Sequence, residues 1–434
     1  PFIYLSVKIN MSIHSMSLTS RTLAAATIAV LLVANSSMAE NWTQFRGANT
    51  DGTAADAKLP GEIAEDKNLA WKIEVPGKGW SSPVTWGNEI WLTTATPEGD
   101  EMFVLSYDAT SGKQLKNIKV FENDVTRFCH PTNSFASPTP VIEDGRIYVH
   151  FGSYGTACLN TKTGEKIWER RDLECNHWRG PGSSPIVDGD NLIVSYDGFD
   201  VQYVVAFNKD TGKTEWKQDR NIDYGTDNGD RKKAYGTGQV VEFDGRRQVV
   251  LPSAVETISY DPASGKELWR VRHGGMNAAA RPLFGNGLIY IAAGSGERSL
   301  IAVRPDGNGD ISDSHIEWGS SKSVPRRPSQ ILIGERLFMI SDQGVASCLD
   351  AVSGEIVWQK RAGSGGEIRS SPVMAGGLIY SFGVEGEVVV FAASDEFELV
   401  SQSKLEDGFQ ASPAIHDNAL IVRGVRHLYR FESK

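Results

Sequence analysis

The chain has 434 residues, of which 40% are hydrophobic and 23% charged, and its formal net charge at pH 7 is −10. That length suits one large β domain or two ordinary domains. An acidic chain repels phosphate backbones, so the composition argues against nucleic acid as a partner. It gives no indication of binding to a membrane surface.

The first 39 residues have the pattern of a secretory signal peptide. A polar stretch that begins at Met11 precedes an apolar run and a small-residue cleavage motif, Leu23–Ala34 and Ser37-Met38-Ala39. We expect cleavage after Ala39, with residues 1–10 a possible non-native leader. Residues 40–434 then form one exported domain, periplasmic or secreted. The apolar run is too short for a membrane span, and no cysteine at the cleavage point supports a membrane anchor.

One phrase recurs along the chain: an Asp or Asn, three residues, a Gly, three residues and a Trp. An incomplete copy begins at Asp108, and a stretched copy runs from Arg304 to Trp318. The complete copies are Asn160–Trp168, Asn208–Trp216, Asp261–Trp269 and Asp350–Trp358. Repetition at a fixed period indicates a repeat architecture, which has to be considered before any other fold.

A second phrase, Ser-Pro or a near equivalent, precedes each copy by about 20 residues and leads into a β-rich run. Its copies are Ser82-Pro83, Pro140, Ser184-Pro185, Pro282, Ser371-Pro372 and Ser412-Pro413. Two more copies lack the proline, near Gln239–Val250 and Gln330–Ile340. The two phrases together define eight units.

These units predict an all-β fold, an eight-bladed β-propeller of four-stranded antiparallel blades. The Asp or Asn and the Gly suit tight turns, and the Trp beyond the turn is expected to lie buried between adjacent sheets. The last unit is one strand short, so we expect Leu69–Ile73 to complete it beside His427–Phe431. No long amphipathic helical pattern follows residue 39, which argues against a two-domain α/β fold.

The repeated phrase resembles the PQQ-like (quinoprotein) repeat, and the opening Trp42–Gly47 is similar to the lead-in of many exported proteins of that type. The resemblance implies the fold more strongly than a function, because its members include PQQ-dependent alcohol dehydrogenases and BamB, the propeller scaffold of the outer-membrane β-barrel assembly machinery. The dehydrogenases are longer and carry two adjacent cysteines, and BamB carries an anchoring cysteine. Neither feature is present here, so no cofactor is expected, although PQQ is possible.

Four long segments are expected on one face of the propeller, around the second to fourth units: 121–137, 170–182, 197–202 and 217–237. They carry the candidate binding residues His130, Asn133, His177, Trp178, Arg179, Asp197 and Asp200, together with Arg231. A guanidinium binds carboxylates and sulfates, and an indole stacks on rings. The alternative is that these loops interlock and satisfy one another's polar groups.

The cysteines form two groups. Cys158 and Cys348 occupy the same repeat position, which predicts small buried core residues. Cys129 and Cys175 lie outside the repeat in long loops of adjacent units, and we expect them to form a disulfide in an oxidising compartment. No pair has CxxC spacing, which argues against a zinc knuckle or attached haem.

No metal site is predicted. The segment Asp306–Asp310, with Glu317, mimics the acidic positions of a calcium loop. Ile311 stands where that loop needs glycine, so an ordinary polar turn is expected. The sequence as a whole favours a monomeric binding scaffold that recognises a protein segment or a small polar ligand, without catalysis. The alternative is a redox enzyme similar to the PQQ-dependent dehydrogenases.

Overall fold

Each sequence unit folds into one antiparallel sheet, because short β-rich runs are joined by tight turns that reverse the chain. The computed structural model describes residues 41–294, 299–363 and 366–433. Within them eight sheets form the blades of a ring, so the predicted eight-bladed propeller is confirmed. The predicted signal peptide lies outside the described residues.

Two strands precede the first blade, β1 (Thr53–Ala54) and β2 (Leu69–Glu74). Blades 1 to 4 then follow in chain order, each from its inner to its outer strand. Blades 1 and 2 contain β3 (Val84–Trp86), β4 (Glu89–Ala95), β5 (Glu101–Asp108), β6 (Gln114–Glu122), β7 (Val141–Glu143), β8 (Arg146–His150), β9 (Thr156–Asn160) and β10 (Lys166–Arg170). Blades 3 and 4 contain β11 (Ile186–Asp188), β12 (Asn191–Asp197), β13 (Gln202–Asn208), β14 (Thr214–Asp219), β15 (Gln239–Phe243), β16 (Arg246–Pro252), β17 (Glu256–Tyr260) and β18 (Glu267–Arg272).

The later blades repeat the same order, and two short 3₁₀ helices, Gly152–Tyr154 and Gly229–Arg231, lie in loops of the earlier ones. Blades 5 and 6 contain β19 (Leu283–Gly285), β20 (Leu288–Ala292), β21 (Leu300–Val303), β23 (Ile316–Ser320), β24 (Ile331–Ile333), β25 (Arg336–Ile340), β26 (Val345–Asp350) and β27 (Ile356–Arg361), with β22 (Gly309–Asp310) inserted before β23. Blades 7 and 8 contain β28 (Val373–Ala375), β29 (Leu378–Phe382), β30 (Glu387–Ala392), β31 (Leu399–Lys404), β32 (Ala414–His416), β33 (Ala419–Arg423) and β34 (His427–Glu432).

The two ends of the described chain share blade 8, as predicted. Strand β2 pairs antiparallel with β34, with Leu69 opposite Phe431 and Ile73 opposite Leu428. This pairing supplies the outer strand that the last unit lacks. Strand β34 is therefore paired on both sides, with β33 and with β2. Among the described residues no helix is long and apolar enough to cross a membrane.

Five tryptophans on outer strands each join their blade to the next. Trp168 Nε1 donates to the carbonyl of Lys209 at 2.8 Å, and Trp216 Nε1 donates to that of Pro262 at 3.0 Å, both acceptors lying in the following blade. Trp71, Trp318 and Trp358 bond forward in the same way. The predicted burial is confirmed, because Trp168, Trp216, Trp269 and Trp358 are at most 9% exposed.

The glycine of the phrase is needed at this contact. Gly212 has a φ of +70°, and a Cβ there would lie 2.7 Å from Cδ2 of Trp168. Any larger residue would both strain the turn and strike the indole of the preceding blade. The Asn208 side chain closes the same turn by accepting hydrogen bonds from the amides of Asp210 and Thr211.

Blade 4 departs from this pattern because of the stretched repeat copy. Strand β22 adds to the outer edge of β18, with Gly309 opposite Trp269, so this indole is fully buried and donates to Gln248 Oε1 instead. Asp310 accepts hydrogen bonds from Ser312, and Ile311 is buried. The segment is therefore a polar turn that covers an outer strand.

Residues 41–74 should be essential for cooperative folding, because their removal strips blade 8 of its outer strand and exposes the edge of β34. We expect a chain of residues 75–434 to lose its cooperative unfolding transition in urea, followed by circular dichroism, whereas a chain of residues 41–434 retains it. A shortened chain with the midpoint and m-value of the longer one would contradict this mode of closure.

Candidate functional site

A funnel opens at the axis of the ring, on the face that carries the loops leading into each inner strand. Its cavity volume is about 270 Å³, and every blade contributes to its wall. The residue two places before the Ser-Pro serine, or its equivalent, lines the funnel in all eight blades: Trp80, Ser137, Gly182, Tyr235, Ala279, Arg327, Arg369 and Gln410. The wall is thus built from one repeat position.

A ring of hydroxyl groups surrounds the lower funnel and explains the serine of the Ser-Pro phrase. The amide of Ser82 donates to Thr139 Oγ1 at 3.0 Å, and the amide of Thr139 donates to Ser184 Oγ at 2.9 Å. Four further steps repeat this contact from one blade to the next, ending with Ser371 and Ser412. The hydroxyls thereby satisfy inner amides that have no strand beside them.

Residues 41–54 form the channel segment, which closes the funnel from below. Its Arg46 is fully buried and donates to the carbonyls of Gln330 and Pro372, both at 2.7 Å, in blades 6 and 7. In blade 5 the hydroxyl position is occupied by Arg281, whose Nη1 donates to the carbonyl of Phe45 at 2.6 Å. The opening phrase of the domain therefore holds the floor in place, with Phe45 lining the cavity.

The funnel wall is cationic. Four arginines line it, Arg179, Arg326, Arg327 and Arg369, while none of the lining residues is Asp, Glu, His or Cys. The carboxylates that pair with these arginines lie outside this lining, and one of them, Glu367, lines an adjacent cavity together with Arg326 and Arg327.

These carboxylates orient three of the arginines. Asp230 accepts two bonds from Arg179, and Glu367 accepts from both Arg327 and Arg369. The hydrogen bond from Arg369 holds the pKa of Glu367 below its ordinary value. The Arg326 side chain is exposed and has no such partner within the described part of the chain.

Two of the predicted binding residues help to build the funnel. Arg179 lies in its wall, and Asn133 supports that arginine by donating from Nδ2 to the carbonyls of Arg179 and Pro181, at 2.9 and 3.0 Å. Trp178, next in the chain, is 44% exposed and points away from the funnel toward Phe128 and Phe199.

Two predicted residues are buried beneath the loops and do not line the funnel. His177 stacks on Tyr196, and burial lowers its pKa to about 4. Asp197 forms an ion pair with Arg220, both side chains fully buried, and burial raises the pKa of that carboxyl. For these two positions the alternative of interlocked loops is the one observed.

The remaining candidates lie at the surface, outside the lining of the funnel. His130 Nδ1 is 2.8 Å from Thr132 Oγ1, and Arg231 is exposed in a 3₁₀ turn. Asp200 Oδ1 accepts bonds from the amides of Asn176 and Val201, so it braces a turn. Within the described residues no group of three or more His, Cys, Asp or Glu side chains could hold a metal ion.

The predicted disulfide between Cys129 and Cys175 is not formed, and all four cysteines are free. Cys129 packs with Phe121 and Phe135 between blades 1 and 2, whereas Cys175 packs with Tyr196 between blades 2 and 3. A shared loop face therefore did not bring the two thiols into one layer. The core prediction for Cys158 and Cys348 is confirmed, since both are fully buried opposite a repeat tryptophan.

Sequence reasoning missed Arg326, Arg327 and Arg369, which come from short loops of blades 6 and 7. The long loops drew attention to blades 2 to 4 instead. The position two places before the Ser-Pro serine would have identified Arg327 and Arg369, since that position faces the axis in every blade. Arg326 is the residue before it.

A ring of eight blades around an axial funnel, four of them with the complete Asp/Asn-Gly-Trp phrase, defines a β-propeller of the PQQ-like repeat class. The family profile described as outer membrane protein assembly factor BamB matches residues 42–202 and 200–422. The chain belongs to this family.

A curated relative, the outer membrane protein assembly factor BamB of Marinobacter adhaerens (strain DSM 23420 / HP15), is 27% identical over 151 residues. That match spans 33% of this chain and only 36% of the relative.

Solved structures share the fold at low identity. A europium-containing methanol dehydrogenase aligns with a TM-score of 0.66 and 11% identity, over 91% of this chain and 98% of its own. The quinohemoprotein alcohol dehydrogenase of Comamonas testosteroni has a TM-score of 0.66 and 13% identity, over 92% and 82%. BamB of Moraxella catarrhalis has a TM-score of 0.60 and 14% identity, over 84% and 97%. These likenesses establish the fold alone.

Buried histidines should make the stability of the propeller depend on pH. Burial lowers the pKa of His150 to about 3 and that of His177 and His273 to about 4, against about 6.5 in an unfolded chain. The unfolded state therefore binds more protons below about pH 6.5, and stability is lost as the pH falls toward 4. We expect the free energy of unfolding to drop between about pH 7 and pH 5, by roughly 1–2 kcal/mol per histidine.

Urea unfolding at several pH values measures this effect. The variant His177→Gln should show a shallower dependence than the parent, by about one proton over this interval. An identical pH dependence in the variant and the parent would show that His177 does not titrate as its burial requires.

Proposed function

We propose that the protein is an exported binding scaffold whose funnel receives a carboxylate-bearing segment of another protein. The observation that carries this proposal is the funnel lining, which combines four arginines with no carboxylate in a chain whose net charge is −10. A cleft lined by one sign of charge attracts groups of the opposite sign, the more so in a concave site with little water.

The arrangement of the arginines supports carboxylate binding. Arg179 and Arg369 form ion pairs with Asp230 and Glu367, which orient both guanidinium groups before any ligand arrives. The guanidinium of Arg326 donates no hydrogen bond to another described side chain. It is therefore the group best suited to a bidentate hydrogen bond with a ligand carboxylate. Serine hydroxyls of the lower ring add neutral donors, among them those of Ser82 and Ser412.

A protein ligand is favoured by the family. The relatives in Marinobacter adhaerens and Moraxella catarrhalis carry the name BamB, and the first is named an outer membrane protein assembly factor. A scaffold that assists other proteins needs a surface that recognises polypeptide. The funnel mouth and the long loops beside it provide one face for that purpose.

A short Glu-rich peptide with a fluorescent label is the probe for this proposal. We expect it to bind the domain of residues 41–434 in a salt-sensitive manner, measured by fluorescence anisotropy. The double variant Arg326→Gln and Arg369→Gln should bind at least about 100-fold more weakly, because each of the two lost charge-assisted bonds contributes about 1.5–3 kcal/mol.

The matched control is Arg247→Gln. Arg247 is an exposed arginine in an ion pair with Asp188, at the turn between β15 and β16 on the opposite face. It should leave peptide binding unchanged. Equal losses in the control and in the funnel variant would indicate a general charge effect and overturn the proposal.

A redox function is the second candidate, because two of the solved relatives in fold are alcohol dehydrogenases. The arginines could bind the carboxylates of a quinone. The funnel lining, however, contains no carboxylate that could hold a cation next to that quinone. None of the four cysteines neighbours another in the sequence. These residues do not fit a quinone held by calcium. Addition of PQQ and calcium should therefore give no dye-linked alcohol oxidation.

A further inference from the structure

Three aromatic side chains form an exposed ridge beside the funnel: Phe128, Trp178 and Phe199, exposed by 54%, 44% and 37%. They come from three separate loops, yet the ring centroid of Trp178 is 5.4 Å from that of Phe128 and 5.6 Å from that of Phe199. Large aromatic side chains bury much apolar surface when a partner covers them, and such clusters on a polar surface mark interaction sites.

The backbone holds the central ring of this ridge outward at a conformational cost. Trp178 has a φ of +55°, in the left-handed region that glycine tolerates and bulky residues avoid. The amide of Arg179 bonds to the carbonyl of His177, so the turn is a three-residue γ type. Backbone strain of this kind persists where surrounding contacts impose it, often at binding sites.

Side-chain hydrogen bonds on both sides of Trp178 hold this turn in place. Asn176 Oδ1 accepts from the Trp178 amide at 2.9 Å, and the Asn176 amide is held by Asp200 at 2.8 Å. On the other side, Asn133 binds the carbonyl of Arg179. The turn directs His177 into the core, Trp178 onto the ridge and Arg179 into the funnel.

The chemistry of the ridge selects apolar side chains. The rings of Trp178 are tilted by 51° and 39° against their two neighbours, so the three rings do not form the flat platform on which a sugar chain would stack. Of the two nearby arginines, Arg127 donates from Nη1 to the carbonyl of Cys175, and Arg179 lines the funnel. Contacts at the ridge itself must therefore come from apolar surface.

The same two loops build the ridge and the funnel wall: Trp178 is followed by Arg179, and the loop of Phe128 also supplies Asn133 to the funnel lining. We propose that one polypeptide segment occupies both, packing an apolar side chain against Trp178 while a neighbouring carboxylate enters the funnel. This inference rests on the proposed function and specifies the partner as an acidic segment that also carries apolar residues.

Four labelled Gly/Ser peptides test the proposal: one with a Glu pair, one with a Leu pair, one with both and one with neither. We expect the Glu peptide to bind, and the peptide with both pairs to bind at least about tenfold more tightly. The variant Trp178→Gly should remove that gain and leave the Glu peptide unaffected. Arg326→Gln should weaken both acidic peptides.

Trp178→Gly is a variant that should keep the fold, since glycine adopts a positive φ without strain. Its melting temperature should equal or exceed that of the parent. The matched control is Leu399→Ser, which removes an apolar side chain 45% exposed on the outer strand of blade 7. This control should retain the full gain from the Leu pair.

The remaining outcomes would overturn part or all of the proposal. No gain from the Leu pair, or a gain that survives Trp178→Gly, overturns the ridge while leaving the funnel proposal intact. Failure of the Glu peptide, with binding of the Leu peptide lost in Trp178→Gly, overturns the funnel proposal and the joint site. Competition by a maltooligosaccharide, or a dimer that Trp178→Gly dissociates, would identify a sugar or a second copy as the occupant and overturn the proposal.

Discussion

The contact between a repeat tryptophan and the next blade is the interaction on which the rest of the structure depends. An indole such as Trp168 packs on Gly212 and bonds to a carbonyl of the same turn, so it fixes both the separation and the angle of two sheets. Because the indole is rigid and the glycine admits no Cβ, the same geometry recurs where Trp71, Trp216 and Trp318 meet Gly112, Gly265 and Gly354. These equivalent junctions set a common step between blades, and the pairing of β2 with β34 closes the ring of eight.

The funnel follows from that ring. With the blades arranged around one axis, the residue two places before the Ser-Pro serine lines the funnel in every blade, whether its loop is long or short. Five of those eight positions hold small or aromatic residues, one holds Gln410, and two hold arginines, Arg327 and Arg369. Arg179 and Arg326 enter from nearby positions. The charge of the site is thus decided by a few residues on a wall that the fold itself dictates.

The sequence was sufficient for the fold and insufficient for the site, for a physical reason. The phrases recur with a period, so the blades, the closing pair Leu69 with Phe431, and the buried Trp269 could all be predicted. Loop side chains have no such period. The directions of His177 and Asp197 depend on Tyr196 and Arg220, which are contacts made in three dimensions between loops and strands. The predicted disulfide between Cys129 and Cys175 was wrong for the same reason. Two loops on one face of the propeller can place their cysteines between different pairs of blades.

The turn at Trp178 joins the two halves of the proposed interface and shows how they differ from the core. If only folding mattered at this position, glycine or asparagine would suit a φ of +55° better than tryptophan. The loops instead commit Asn176, Asp200 and Asn133 to holding a bulky ring at the surface, where it gains little from burial. An arrangement that is unfavourable for the isolated protein becomes favourable when a partner covers the ring, and the neighbouring arginine then lies at the rim of the same contact.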